Sequence, residues 1–219
     1  MPVPTGIPDL DRALHLLVHD VRAPLSVAHG YLRLLREQRL ASEAERERAL
    51  AQAAESLGRI SQICDDALAY AALKARAAGP IATVGAAEVF GQIAGHLAAG
   101  PAIDEPALPS TASLRVATPN DLVDAVCTVV LAVWQRYRRR PEVRLRASVT
   151  DAEMILLVGL PQEWDALGAG ASDAFDPWKG GHGLALPRAC GVLALAGGRV
   201  WGMTGSHATG IALPLEVEP

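Results

Sequence analysis

Residues 19–26 read HDVRAPLS. His19 is followed at once by Asp20, Arg22 stands three positions after the histidine, and Pro24 interrupts what otherwise reads as a helix. Imidazole is a good phosphoryl acceptor because one ring nitrogen is nucleophilic near neutral pH. A guanidinium one helical turn away, Arg22, pairs well with phosphoryl oxygens. The competing reading is plainer: a solvated helix face with a kink. His15 and His29 recur on the same face at helical steps, but neither has the acid and proline around it. They read as polar surface residues.

The elements that must hold His19 are two long helices. Leu10, Leu14, Leu17, Val21, Leu25, Ala28, Leu32 and Leu35 recur at three- and four-residue steps, the stripe of an amphipathic helix. His19 lies two residues from both Leu17 and Val21, so it points away from that stripe. A histidine buried for packing would lie on it. Pro24 removes one backbone hydrogen bond and predicts a bend just past His19. The helix is expected to end near Arg39. Ser42 and Glu45 then form a capping-box pattern. A second stripe follows at Leu50, Ala53, Leu57, Ile60, Cys64, Ala67 and Ala71, with the alternating steps of a bundle seam. Two such helices joined by a short turn make an antiparallel hairpin. One hairpin cannot bury both stripes, so a second copy is expected to complete a dimeric four-helix bundle. Ala53, Ala67 and Ala71 suit a close approach of helices. The domain reading is therefore a hairpin over 1–76, a linker over 77–82 containing Gly79 and Pro80, and a second domain over 83–219.

The second domain mixes strands and helices. A helix is expected over 86–99, a strand over 113–118 (SLRVAT), and a helix from Pro119 and Asn120 to about Tyr137. Strands over 142–149 and 153–158 flank a turn at Thr150 and Asp151, a hairpin pattern. A loop rich in Gly, Ala and Asp leads to GGHGLALPRACGVLALAGG, a glycine-rich start to a helix ending at Gly197 and Gly198. Strands over 199–204 and 209–217 close the chain. The fold class is α+β, with helices packed on one sheet.

Composition bounds the function. Half of the 219 residues are hydrophobic, enough for a sizeable core. A formal net charge of −4 gives no general attraction to nucleic acid or to anionic membranes. The basic run RYRRR over 136–140 reads as a solvated helix end, where cations suit the dipole. Cys64, Cys127 and Cys190 are far apart, fit no zinc spacing and sit among apolar residues, so buried thiols in a reducing compartment are expected. The N-terminus has no basic-then-apolar signal pattern, and the longest apolar run is too short to span a bilayer. A cytoplasmic protein is expected, without nucleic-acid binding, membrane insertion or a metal site.

At this point the sequence resembles the histidine kinase superfamily of two-component signalling. HDVRAPLS looks like that family's H-box: histidine, acid, any residue, basic residue, any residue, proline, leucine. The family places it on the first helix of a dimerising hairpin. FDPW over 175–178 looks like the F-box, GGHGLAL over 180–186 resembles the second glycine box, and AGGRVW with TGIALPLEV resembles the last strands of the ATP-binding domain. The resemblance implies a phosphoryl carrier at His19, oriented or deprotonated by Asp20, with Arg22 beside it.

Three departures stand against that pattern. The family holds magnesium with an asparagine late in the helix after the SLRVAT-like strand; here Thr128, Leu131 and Ala132 occupy that stretch. The first glycine box normally supplies an aspartate that reads adenine; here Gly159 stands at that place. A long lid normally separates F-box and second glycine box; here Lys179 alone lies between Trp178 and Gly180. Losing a magnesium ligand removes charge compensation for a triphosphate. Losing the adenine acceptor costs roughly 1–3 kcal/mol more. What remains, Gly181 and Gly183, is either a vestigial nucleotide site at a helix start or a tight turn. In family members that also remove phosphate, a threonine or asparagine four residues after the histidine positions water; Ala23 cannot do so.

The resemblance thus implies a histidine phosphotransferase with a degenerate ATPase-like α/β sandwich domain. It would shuttle phosphate through His19 between response-regulator receiver domains, as a homodimer without a cofactor. Two alternatives stay open: a divergent autokinase using ATP and Mg, and a non-catalytic dimeric scaffold for response regulators.

Overall fold

The computed structural model describes residues 9–73, 82–104, 112–116, 119–150, 152–168, 172–179, 182–203 and 205–217. The chain divides into two compact units, meeting between Ala72 and Leu73. The fold is α+β.

The first unit is a hairpin of α1 (Leu10–Arg36) and α2 (Glu43–Ala71). Asp9 caps α1, its carboxylate accepting from the Arg12 N–H at 3.0 Å, and its own N–H donates to the Tyr70 hydroxyl at 3.0 Å. That second bond ties the start of α1 to the end of α2. α1 stops at Arg36, short of the expected Arg39: Gln38 takes a left-handed φ of +52°, and the Arg39 N–H closes back on the Leu34 carbonyl at 3.1 Å. Ser42 and Glu45 form the expected capping box at the start of α2.

The apolar stripe of α1 serves two faces where one was expected. Ala13, Pro24 and Ala28 are buried against α2, with Leu17, Val21 and Leu35 half-buried beside them. Leu10, Leu14, Leu25 and Leu32, joined by Val18, are exposed. The helix runs unbroken through Pro24, which packs in the seam. On α2, Ala49 and Ala53 are buried, while Leu50, Leu57 and Leu68 are exposed. Among the described residues, every exposed large hydrophobic side chain lies on these two helices.

The second unit runs β1 (Ala82–Gly85), α3 (Ala86–His96), β2 (Ala102–Asp104), β3 (Ala112–Val116), α4 (Pro119–Arg136), β4 (Arg144–Val149), β5 (Glu153–Gly159), a 3₁₀ turn (Pro161–Glu163), α5 (Trp164–Gly168), β6 (Ser172–Ala174), α6 (Ala185–Leu195), β7 (Arg199–Met203), β8 (Thr209–Pro214) and β9 (Glu216–Val217). The strands form two sheets, not the single one expected. One has the order β1-β3-β9, all antiparallel; the other has the order β2-β4-β5-β8-β7-β6, antiparallel except for the β2–β4 pair. Ala82, assigned to the linker, instead opens β1; residues 77–81 lie outside the described residues. The glycine-rich loop before the last helix holds the 3₁₀ turn, α5 and β6.

The main core joins α3, α4 and α6 to the sheets. Met154, Leu156 and Val158 of β5, with Leu145, Ile211, Val126, Val130, Ile93 and Leu193, are fully or nearly fully buried in it. Period-2 alternation sends Ile155 and Leu157 to the opposite face of β5, where a smaller cluster forms with Trp164, Leu167 and Ala208.

Candidate functional site

His19 sits in the third turn of α1, 77% exposed, on the face that the hairpin does not bury. Its Nδ1 lies 3.0 Å from Oδ1 of Asp20, which is itself only 26% exposed. The half-buried carboxylate is thereby a fixed partner for a solvent-facing ring. With the proton on Nδ1, the ring donates to Asp20, and Nε2 keeps its lone pair toward solvent. Arg22 is exposed on the same helix and forms no hydrogen bond or ion pair among the described residues. Pro24 and Ala28, one and two turns on, anchor this segment against α2, so the ring stands on a packed element. His15 and His29 are exposed and hold no carboxylate at hydrogen-bond distance among the described residues. Ala23 is exposed and offers nothing to orient a water.

The second unit carries the residues that resemble the nucleotide boxes. Gly181, with Gly180, lies outside the described residues. Gly183 takes a φ of +57° just before α6, a conformation glycine adopts without strain. α4 and α6 pack directly on one another. Ala132 of α4 is buried, and Thr128 turns its hydroxyl back to the Asp124 carbonyl at 2.7 Å. Neither presents a ligand. Near the C-terminal end of α4, the Arg136 guanidinium donates to the Lys179 carbonyl at 2.6 Å and lies 5.2 Å over the Phe175 ring. It so holds the F-box-like stretch against the helix. Burial lowers the Arg136 and His182 pKa values and raises that of the Cys190 thiol to about 12.

Gly159 is tight. A Cβ there would meet the Ala208 Cβ at 2.9 Å and Oε2 of Glu163 at 3.3 Å. The carboxylate missing from position 159 is thus supplied to the same neighbourhood by Glu163, which sequence reasoning passed over. Its acceptors are taken: Oε2 accepts from the Tyr137 hydroxyl at 2.5 Å and the Leu160 N–H at 2.9 Å, and Oε1 accepts from the Ser206 hydroxyl at 2.5 Å. Burial raises the Glu163 pKa, but the hydrogen bonds from Ser206, Tyr137 and Leu160 outweigh it and hold the carboxyl below its ordinary value. Tyr137 is pushed up, by burial first and by Glu163 second. The signal for this cluster was weak in sequence, because its members are 26 to 69 residues apart.

One expectation needs adjusting. Cys64 is exposed in the hairpin, whereas Cys127 is buried and Cys190 partly so. Among the described residues, no group of three or more His, Cys, Asp or Glu could hold a metal ion. Among the described residues, no helix is long and apolar enough to cross a membrane.

Residues 9–76 match the His Kinase A (phospho-acceptor) domain family. No curated protein matches the chain. Among solved structures, the chain is similar to the Acinetobacter baumannii histidine kinase AdeS at 11% identity and a TM-score of 0.57, over 92% of this chain and 98% of that one. It is similar to histidine kinase ThkA, solved in complex with the response regulator protein TrrA, at 14% identity and a TM-score of 0.58, over 90% of this chain and 59% of that one. It is also similar to full-length ShkA in complex with AMPPNP, at 21% identity and a TM-score of 0.50, over 95% of this chain and 46% of that one. At these identities the likeness is one of fold.

Proposed function

We propose that this chain, whose residues 9–76 match the His Kinase A (phospho-acceptor) domain family, is a histidine phosphotransferase of a phosphorelay within the histidine kinase superfamily of two-component signalling. His19 takes a phosphoryl group from the aspartyl phosphate of one response-regulator receiver domain and passes it to the aspartate of another. The observation that carries this reading is the His19–Asp20 pair: an exposed imidazole whose Nδ1 is held by a half-buried carboxylate, leaving Nε2 open to a partner. In the forward step Nε2 attacks the phosphorus and the P–O bond to the receiver aspartate breaks, so that the carboxylate leaves. The Nδ1 proton stays on the ring, shared with Asp20, which stabilises the cationic phosphoimidazole. In this reading Arg22, exposed on the same helix, pairs with the transferred oxygens. The return step reverses these bonds.

Autophosphorylation from ATP is the reading disfavoured. Ala132 offers magnesium no ligand, the space beside Gly159 is filled by Ala208 and Glu163, and Arg136 holds the F-box-like stretch onto α4. The chain is proposed to act without ATP or Mg, its second unit serving to grip the receiver.

The same reading includes a homodimer. Leu10, Leu14, Val18, Leu25 and Leu32 of α1, with Leu50 and Leu57 of α2, form outward apolar rows that a second hairpin would cover.

The test uses receiver domains carrying labelled phosphate. The label is expected on the chain, as an acid-labile and base-stable N–P bond, and on a second receiver added afterwards. His19→Gln should abolish both transfers, while His15→Gln and His29→Gln keep them. Undiminished labelling of the His19→Gln protein would put the phosphoryl acceptor at another residue, and no labelling of the wild type would leave the scaffold reading in place. Labelling of the isolated wild-type chain by ATP would establish the autokinase.

A further inference from the structure

β2 (Ala102–Asp104) is the last strand of the larger sheet. β4 pairs with it on one side, and no strand pairs with it on the other among the described residues. Beyond the β2–β4 ladder, residues 102–104 take part in no backbone hydrogen bond among the described residues. An edge of this kind leaves backbone donors and acceptors that an added strand can use.

A cavity of about 470 Å³ opens against the same strand. Ala102 and Ile103 line it from β2, Leu97 and Pro101 from the chain between α3 and β2, and Trp134 and Pro141 from the end of α4 and the turn after it. Leu97 and Pro101 are buried, and the Gly100 N–H closes their turn on the Leu97 carbonyl at 2.7 Å. The Trp134 indole N–H donates to the Arg140 carbonyl at 3.2 Å, which fixes the ring and satisfies its polar atom. The walls are thus preformed and largely apolar, and the volume falls within the range of ligand pockets.

The rim carries a charge. The Arg139 guanidinium lies over the Trp134 ring at 5.9 Å, which places it against one wall of the cavity. Arg139 is exposed and forms no ion pair among the described residues. Asp104 on β2 is already paired with Arg144, and no acidic residue lines the cavity. The fork of Arg139 is therefore open to an anion from outside.

An occupant that uses all three features needs an apolar group, an anionic group close to it, and a peptide backbone for the strand edge. The last residue of an extended polypeptide has all three when its side chain is apolar. A small aliphatic or aromatic acid has the first two and leaves the edge unused. We propose that the cavity beside β2 is a docking site for the C-terminal segment of a partner polypeptide that ends in an apolar residue. The segment adds a strand to β2, its last side chain packs on Leu97, Ile103 and Trp134, and its terminal carboxylate pairs with Arg139. Gly159, Glu163 and Gly183 do not line this cavity, and His19 belongs to the other unit, so the proposal stands independently of the phosphotransfer reading.

Fluorescence anisotropy of a labelled hexapeptide of serine and valine ending in leucine, titrated with the full chain, tests it. Saturable binding at one peptide per chain is expected, and the same peptide with an amidated C-terminus should bind at least tenfold more weakly. Arg139→Gln should melt with the wild type and lose affinity to a similar extent, while Arg59→Ala on α2 should bind as the wild type does. Unlabelled 4-methylpentanoate, which carries the side chain and carboxylate without the backbone, should compete at least tenfold less well than the unlabelled peptide. The proposal is overturned by an absence of saturable binding at millimolar concentration, by equal binding of the amidated peptide, or by full affinity in Arg139→Gln. Equal competition by 4-methylpentanoate also overturns it, and would make the cavity a site for small acids.

Discussion

A solvent-facing imidazole alone is a poor relay, because its two tautomers exchange and its ring turns freely. Asp20 removes both freedoms at once: a half-buried carboxylate 3.0 Å from Nδ1 selects one tautomer and one ring orientation. Since His19 is 77% exposed, His19→Gln should change unfolding stability by no more than about 0.5 kcal/mol while removing transfer. Asp20→Asn keeps the shape of the acid but loses the charge that the proposal assigns to stabilising the phosphoimidazole. Stopped-flow transfer should then slow by roughly 10- to 100-fold, with receiver affinity, measured separately by calorimetry, unchanged. A fall in affinity equal to the fall in rate would assign Asp20 to docking instead. These residues were legible in sequence because the motif is local: His19, Asp20, Arg22 and Pro24 occupy under two turns of one helix, and the pattern states its own spacing.

At the scale of elements, the hairpin was legible in its helices and its capping box but not in its faces. A three-and-four stripe fixes that a helix is amphipathic, and a stripe that serves two neighbours looks in sequence like one that serves a single neighbour. The structure separates them. Alanine and proline, at Ala13, Pro24, Ala28, Ala49 and Ala53, let α1 and α2 approach closely, and the leucines are left outside. The division changes which substitution reports on which contact. Leu17 is half-buried toward α2, so Leu17→Asp strikes the hairpin itself. Leu14, 60% exposed, and Leu57 are the probes for a second copy. Leu57→Asp should dissociate the proposed dimer, observed as a halved mass by light scattering, with helicity retained by circular dichroism. Cys64 lies one heptad past Leu57 and is exposed in the single hairpin. It should react slowly with thiol reagents in the dimer and quickly in Leu57→Asp. Fast labelling of Cys64 in the unmutated protein would count against that seam. Cys127 and Cys190, whose burial raises their pKa values to about 11 and about 12, should stay unreactive near neutral pH in both.

At the scale of the whole second unit, Tyr137, Glu163 and Ser206 bond to one another beside Gly159, and the proposal reads these bonds as standing where contacts to a nucleotide would be. Long-range strands, the division into two sheets and the Tyr137–Glu163–Ser206 cluster could not be read from sequence, because each joins segments far apart and none has a local spacing to announce it. Gly159 was read as a missing acid; the structure adds that an acid no longer fits. Gly159→Asp should not restore ATP binding by calorimetry and should cost about 1–3 kcal/mol of stability from the crowding against Ala208. The cluster that fills this region also sets a pH window. Glu163 is held below its ordinary value of 4.5 in the fold, so its contribution is fully present above that value and is lost as the pH falls through the folded pKa. Tyr137 is held above its ordinary value of 10.0, so its contribution is present below pH 10 and is lost as the pH rises through the folded pKa. The two groups therefore stabilise the unit together between about pH 4.5 and pH 10. Melting temperatures measured within that range and on both sides of it test the coupling. Glu163→Gln should lie below the wild type at pH 7, with the gap narrowing below pH 4.5 as the wild type loses its carboxylate. Tyr137→Phe should show its deficit shrinking above pH 10. If the gap between wild type and Glu163→Gln is the same at pH 3 as at pH 7, the carboxylate is a spectator, and the packing of Tyr137 alone fills the region beside Gly159.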